Sequence, residues 1–272
     1  MNSLDLTGKS ISYLRELSKK PGAVTEEFLE ALAGDERKGV QDLLNKLRRE
    51  QEAELGEKAR LAKLFAYEKN VMANGYSPVA GVDEVGRGPL AGPVLAAAVI
   101  LPQDWFLPGL NDSKKLTPQK REDLAAQIKE QATAWAVGLA SVEEINQLNI
   151  FQAALLAMRR AIERLHIQPA YVLVDGFRLE ELPIPQIPLV GGDRLSASIA
   201  AASIVAKVER DAMMNAYHRK YPEYGFIRHK GYGTKEHLEA LERHGPCTIH
   251  RRDFQPVARQ ITNYNAQITN HK

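Results

Sequence analysis

The sequence predicts an α/β domain built on a mixed sheet, preceded by a helical extension. Three observations carry that expectation. Near Ser77 the texture of the chain changes, from charged segments with apolar residues at helical spacing to short apolar runs. Two of those runs, VAGVDEVG and VLAAAVIL, flank a turn rich in glycine and proline, the pattern of a hairpin. Beyond them, apolar runs alternate with amphipathic stretches, as they do in α/β domains.

The extension comes first. SYLRELSKK, VTEEFLEALAG and the long VQDLLNKLRREQEAELGEKARLAKLFAYEKNVM repeat apolar residues at helical spacing. Pro21-Gly22 and Gly34 separate them. Two short helices and one long polar helix are expected. The long one either stays solvated or packs on the next domain through Leu61, Leu64, Phe65 and Tyr67. Residues 1–70 are assigned to this helical N-terminal extension and 71–272 to the main domain.

Within the main domain the hairpin is followed by a helix that Thr117-Pro118 opens and that runs to about Ala132, since proline suits the first helical position. AWAVGLAS is expected to be a third strand and residues 149–165 an amphipathic helix. AYVLVDG is a short strand ending in an acid and a glycine. Pro183, Pro185 and Pro188 make 182–190 an extended connection with at most a short strand. Ser196 to about Tyr217 is a long helix, small and apolar in its first half and charged in its second.

A chain of 272 residues has room for one medium domain and a small appendage. No apolar run reaches the length of a membrane span; Val94 to Leu101 and Ile199 to Ala206 suit buried elements instead. The start lacks a secretory signal, and a single cysteine, Cys247, excludes an intramolecular disulfide and a cysteine-rich zinc site. A cytoplasmic monomer with no membrane partner is expected. The net charge of +2 neither demands nor excludes nucleic acid.

The chemistry concentrates in GVDEVGRGPLAGP. Asp83 and Glu84 lie inside an apolar strand, where an unpaired acid is costly. Carboxylates collect hard cations such as magnesium, and the bare backbone of Gly86-Arg87-Gly88 lets a polyanion come close. Neighbouring strand residues point to opposite faces, so the strand must end or bend if both acids serve one site. The same glycines fit a loose dinucleotide pattern, but that motif opens a helix, whereas Pro89, Pro93 and a second strand follow here. Asp175 ends a strand, a placement that suits catalysis or a loop cap. Asp193, alone, is best read as the N-cap of the long helix, and Asp211 as an ion-paired helix residue. YGFIRHKGYGTKEH mixes basic and aromatic groups with glycines, which suits phosphate and sugar contacts or a solvated loop. Asp112-Ser113-Lys114-Lys115 and Arg251-Arg252 are further basic-polar loops, each weak alone. His244, Cys247 and His250 resemble zinc spacing only superficially.

Taken in order, GVDEVGRGPLAGPV, NDSKKLTPQKRE, YVLVDG, GGDRLSASIAAASIVAKVERD, YPEYGFIRHKGYGTKEH and HRRDFQPV resemble bacterial ribonuclease HII, the type 2 ribonuclease H family. The resemblance spans Ser77 to Val257 and leaves the extension aside. It implies a ribonuclease H-like fold, a five-stranded mixed sheet flanked by helices. It implies a four-carboxylate catalytic and metal site at Asp83, Glu84, Asp175 and Asp193, holding two Mg2+ or Mn2+ ions. It implies that Gly86, Arg87 and Gly88 recognise a ribonucleotide through its 2′-hydroxyl and that Tyr232 packs on the neighbouring sugar. Ser113 and Lys114 are expected phosphate contacts. The implied substrates are RNA/DNA hybrid and DNA duplex containing ribonucleotides, cut 5′ to the ribonucleotide. Two alternatives stay open: a ribonuclease HIII-like hybrid nuclease, against which the helical extension speaks, and a non-catalytic nucleic-acid-binding module, against which the intact acids speak.

Overall fold

The computed structural model describes residues 6, 8–103, 105–180 and 182–269, with side chains through Thr262. The chain divides into two compact units, Met1–Arg60 and Leu61–Lys272. In the first, α1 (Ile11–Ser18) and α2 (Glu26–Ala33) start at Ser10 and Thr25, whose side chains accept from the Tyr13 and Phe28 amides. They pack with the start of α3 (Lys38–Leu64) around Leu14, Phe28, Leu32, Val40, Leu43 and Leu44. Both expectations for the long helix hold, in different stretches. Residues 48–56 are exposed throughout, whereas Leu61, Leu64 and Phe65 are core residues of the second unit. The helix also breaks where continuity was expected. Phe65 leaves helical geometry, buries its ring edge-on to Trp105, and α4 (Ala66–Ala73) follows.

The second unit holds a five-stranded mixed sheet: β1 (Val79–Val85), β2 (Val94–Ile100), β3 (Ala134–Ala140), β4 (Tyr171–Asp175) and β5 (Gln186–Leu189), in the order β3-β2-β1-β4-β5. β1, β2 and β3 form an antiparallel meander. β4 runs parallel to β1, and β5 parallel to β4. Both faces are covered, so the strands are apolar on both sides. Ala96, Ala98 and Ile100 of β2 face the cluster built with α7 (Ile150–Glu163). Ala97 and Val99 face the cluster built with α5 (Pro118–Gln131) and α8 (Ala197–Lys220). A short helix not foreseen from the sequence, α6 (Val142–Leu148), precedes α7. Its signal was present: Ser141 and Glu144 form a capping box.

α8 crosses β1 at very close range, and its first half is small for that reason. A Cβ on Gly81 would overlap the Ser198–Ile199 backbone. The N-terminus of α8 is anchored from α4. Buried Glu68 accepts from the Ser196 hydroxyl at 2.6 Å and from the Ser198 amide and hydroxyl at 2.8 and 2.6 Å. After α8 come α9 (Phe226–His229), α10 (Lys235–His244) and α11 (Gln255–Thr269). No described helix is long and apolar enough to cross a membrane.

Gly81→Ala is expected to destabilise the chain by about 3 kcal/mol or more, because helix and strand must separate. Gly56→Ala, on the exposed part of α3 with open space around its Cβ, is expected to stabilise by roughly 0.5–1 kcal/mol. Urea midpoints check both, and an unchanged midpoint for Gly81→Ala would contradict the close crossing.

Candidate active site

The acids meet where two strands part. The parallel register of β1 and β4 ends at Val82↔Val174. Just past it come Asp83 and Glu84 on β1 and Asp175 on β4. β1 itself continues beside β2 through Val85, so Asp83 and Glu84 sit at an opening between strands, facing Asp175 at the end of β4. One oxygen from each of Asp83, Glu84 and Asp175 lies within 4.8 Å of the others. Among the described residues this is the one group of three or more His, Cys, Asp or Glu side chains with metal-holding geometry.

Burial and like charge act together here. Burial pushes the Asp83 carboxyl well above its usual range, and Glu84, Asp175 and Asp193 push it further, while Ser203 opposes through a hydrogen bond. Burial also raises Glu84, with Arg87 opposing and Asp175 adding to the rise. The Arg87 guanidinium lies 3.4 Å from Glu84. Asp193 stands beside the trio rather than inside it, raised by burial and by Asp112 and Asp175, and lowered by Lys114 and Arg194. It is not the cap of α8; Ser196 takes that role, accepting from the Ile199 amide. Asp193 instead rides a tight turn, Gly192–Arg194, whose Gly192 amide donates to Asp175 at 2.6 Å.

A cleft of about 840 Å3 opens from the acids. Ser113, Lys114 and Tyr232 line it with Asp83, Glu84 and Asp175. The Ser113 hydroxyl is 3.0 Å from that of Ser203, and Lys114 reaches toward Asp193 at 3.8 Å. Burial disfavours the Lys114 ammonium, yet Asp193, Asp112, Asp83 and Asp175 together hold its pKa above the usual value. Gly86, Arg87 and Gly88 follow β1 directly. Gly88 faces the ring edge of Tyr232, with ordinary contact distance left for a Cβ. Asp211 is ion-paired with Lys207 at 2.6 Å, and both line the cleft.

The segment read as a basic-aromatic loop is partly core. Tyr224, Phe226, His229 and His237 are buried, and only Arg228, Lys230, Tyr232 and Ile227 line the cleft. His250 is buried too. Its Nδ1 accepts from the Cys247 amide at 3.0 Å, so its Nε2 donates to His237 Nε2 at 3.1 Å. His237 Nδ1 in turn donates to the Tyr232 carbonyl at 2.9 Å. Burial keeps both imidazoles neutral, lowering His237 to about 4 and His250 to about 3. Arg251 is no surface loop contact either: it is fully buried. So is Arg210 on α8, which nothing in its local sequence distinguishes from an ordinary helix charge.

The Ribonuclease HII family model matches residues 80–257, and the Ribonuclease HII N-terminal domain model matches residues 10–72. A Ribonuclease HII of Pelotomaculum thermopropionicum is 56% identical over 254 residues, 93% of this chain and 96% of that one. One from Desulfitobacterium hafniense is 54% identical over 257 residues, 94% and 99% of the two chains. The crystal structure of ribonuclease H2 from Pyrococcus horikoshii OT3 aligns with a TM-score of 0.58 and 26% identity, covering 69% of this chain and 98% of that one.

A carboxyl whose pKa is raised by folding destabilises the fold once it ionises. The penalty is absent below the ordinary carboxyl value of about 4, grows as pH rises above it, and is complete above the raised value. Asp83→Asn is therefore expected to stabilise the metal-free chain at pH 7 and to bring no gain below about pH 4. Urea unfolding in chelator at the two pH values measures this; equal midpoints for both proteins at pH 7 would refute it.

Proposed function

The chain belongs to the ribonuclease HII family and is a ribonuclease H-type endonuclease, and we propose that it hydrolyses DNA duplexes containing ribonucleotides, and RNA/DNA hybrids, on the 5′ side of a ribonucleotide. The observation that carries this reading is the convergence of Asp83, Glu84 and Asp175 at the parting of β1 and β4, in a cleft shared with Tyr232. Ribonucleotide removal and primer processing in the cytoplasm are the corresponding roles.

The donor set fits divalent cations. It offers only oxygen, which suits Mg2+ or Mn2+ better than zinc, and buried like charges need a compensating cation to ionise together. Asp83, Glu84 and Asp175 would hold it, with Asp193 as the fourth acid of a two-ion site. When bound, such ions lower the pKa of water and neutralise charge on a phosphoryl group. The chain's own residues supply the rest. The Gly86-Arg87-Gly88 backbone meets the 2′-hydroxyl, the group that separates ribose from deoxyribose. Tyr232 packs on the adjoining sugar. Lys114 and Ser113 contact phosphate, and the carboxylates orient the attacking water. The phosphorus–3′-oxygen bond breaks, leaving a 3′-hydroxyl and a 5′-phosphate.

A family model for the N-terminal domain matches residues 10–72, and this favours the type II reading over a ribonuclease HIII-like one. The test is cleavage of a labelled DNA duplex carrying one ribonucleotide, beside a full RNA/DNA hybrid, with Mg2+, Mn2+ or chelator. A metal-dependent cut 5′ to the single ribonucleotide is expected, reduced roughly a thousandfold in Asp83→Asn. Cleavage of the long hybrid alone would move the protein to the sister type. Duplex binding without any cleavage would make it a binding module.

A further inference from the structure

The glycine loop is short of internal support, yet it is held from below by two buried cations. Arg251 Nη2 donates to the Gly86 carbonyl at 2.6 Å, Nη1 to the Arg87 carbonyl at 2.9 Å, and Nε to the Gly92 carbonyl at 2.9 Å. Arg210 donates to the carbonyls of Pro93, Ala91 and Lys230 at 3.1, 3.2 and 3.0 Å. Backbone bonds add to the clamp: the Arg251 amide donates to Leu90, the Leu90 amide to Gly231 and the Gly92 amide to Ile249. Neither guanidinium has a carboxylate partner among the described residues. A buried charge held by carbonyls alone is expensive, so both groups need every one of these bonds.

The trans peptide unit makes this arrangement directional. Its carbonyl and the following N–H lie in one plane and point opposite ways. Arg251 draws the Gly86 and Arg87 carbonyls inward. The N–H groups of Arg87 and Gly88, on the same two planes, must therefore point outward. Both residues are exposed, and neither amide has a hydrogen-bond partner within the described chain. Two donors on consecutive exposed residues thus face outward, aimed by an arginine that touches no solvent.

We propose that Arg251 is a positioning residue that sets ribose specificity, by fixing the two peptide planes whose amides meet the ribonucleotide. Arg210 supports the far end of the same loop. The inference rests on the proposed reading of Gly86-Arg87-Gly88 as the ribonucleotide reader. Lysine is not an equivalent of Arg251, since a single ammonium cannot span three carbonyls as a planar fork does.

The experiment uses the full chain with Arg251→Lys. Three quantities are measured: Mn2+ affinity without duplex, kcat and KM on a duplex with one ribonucleotide, and relative affinity for that duplex over its all-DNA counterpart. The expected result is a folded protein with unchanged Mn2+ affinity. Its preference for the ribonucleotide falls toward one, and kcat/KM falls roughly 10–100-fold. A folded variant that keeps the native preference overturns the inference while leaving the nuclease reading intact. A native chain that shows no preference overturns both. If Arg251→Lys does not fold, backbone relaxation of the native chain without substrate decides. Order parameters of Gly86, Arg87 and Gly88 near 0.85 are expected for a clamped loop, and values below about 0.6 overturn the inference.

Discussion

Buried negative charge at the parting of β1 and β4 is the constraint that the rest of the domain serves. Burial, with like charge beside it, raises Asp83 and Glu84 and disfavours their ionisation, so the fold must hold these groups in place against that cost. It does so with rigid elements. β1 is locked between β2 and β4 along its apolar length, and the acids emerge only after the β4 pairing stops. α8 crosses so closely that glycine is required beneath it, which leaves the strand no freedom to swing outward. Sites built on strands and helices of this kind hold geometry better than sites on loops.

The loop that follows β1 is built on the opposite principle. Glycine and proline give the loop after β1 little stiffness of its own, so order is imposed from a later part of the chain. Two buried guanidinium groups, a bridge between Ala91 and His250, and a run of neutral imidazoles ending on the Tyr232 carbonyl all converge there. Burial together with the nearby Arg210 charge lowers the Arg251 guanidinium to about 9, which leaves it cationic at neutral pH. Opposite buried charges thus flank the end of β1, the acids on the sheet and the guanidinium groups beneath the loop that follows.

Much of this was legible in the sequence because strands covered on both faces leave a clear record. VLAAAVIL reads as a buried strand, and acids inside VAGVDEV or at the end of YVLVD stand out against apolar neighbours. What stayed hidden were partners rather than burial patterns. Asp193 looked like a helix cap because local spacing permits it, but Ser196 sits closer to the helix and takes the amide. Arg251, beside another arginine after a histidine, looked like surface charge; only tertiary carbonyls make its burial tolerable. The histidines of the basic-aromatic segment find buried polar partners, His229 at the Tyr224 carbonyl and His237 at the Tyr232 carbonyl and His250, so part of what reads as a loop is core. The local break at Phe65, whose ring lies edge-on to Trp105, leaves no mark in the helical periodicity.

Glu68 gives the chain an unexpected seam. It lies in the stretch matched by the N-terminal family model, yet its hydrogen bonds go to Ser196 and Ser198, at the head of the helix that backs the acids. Heredity and architecture therefore divide this protein at different places. A grafted or exchanged N-terminal module would have to stop before α4, leaving that helix behind as the native floor of the nuclease. Modules traded at the family boundary would carry away the carboxylate that three donors at Ser196 and Ser198 were folded to meet.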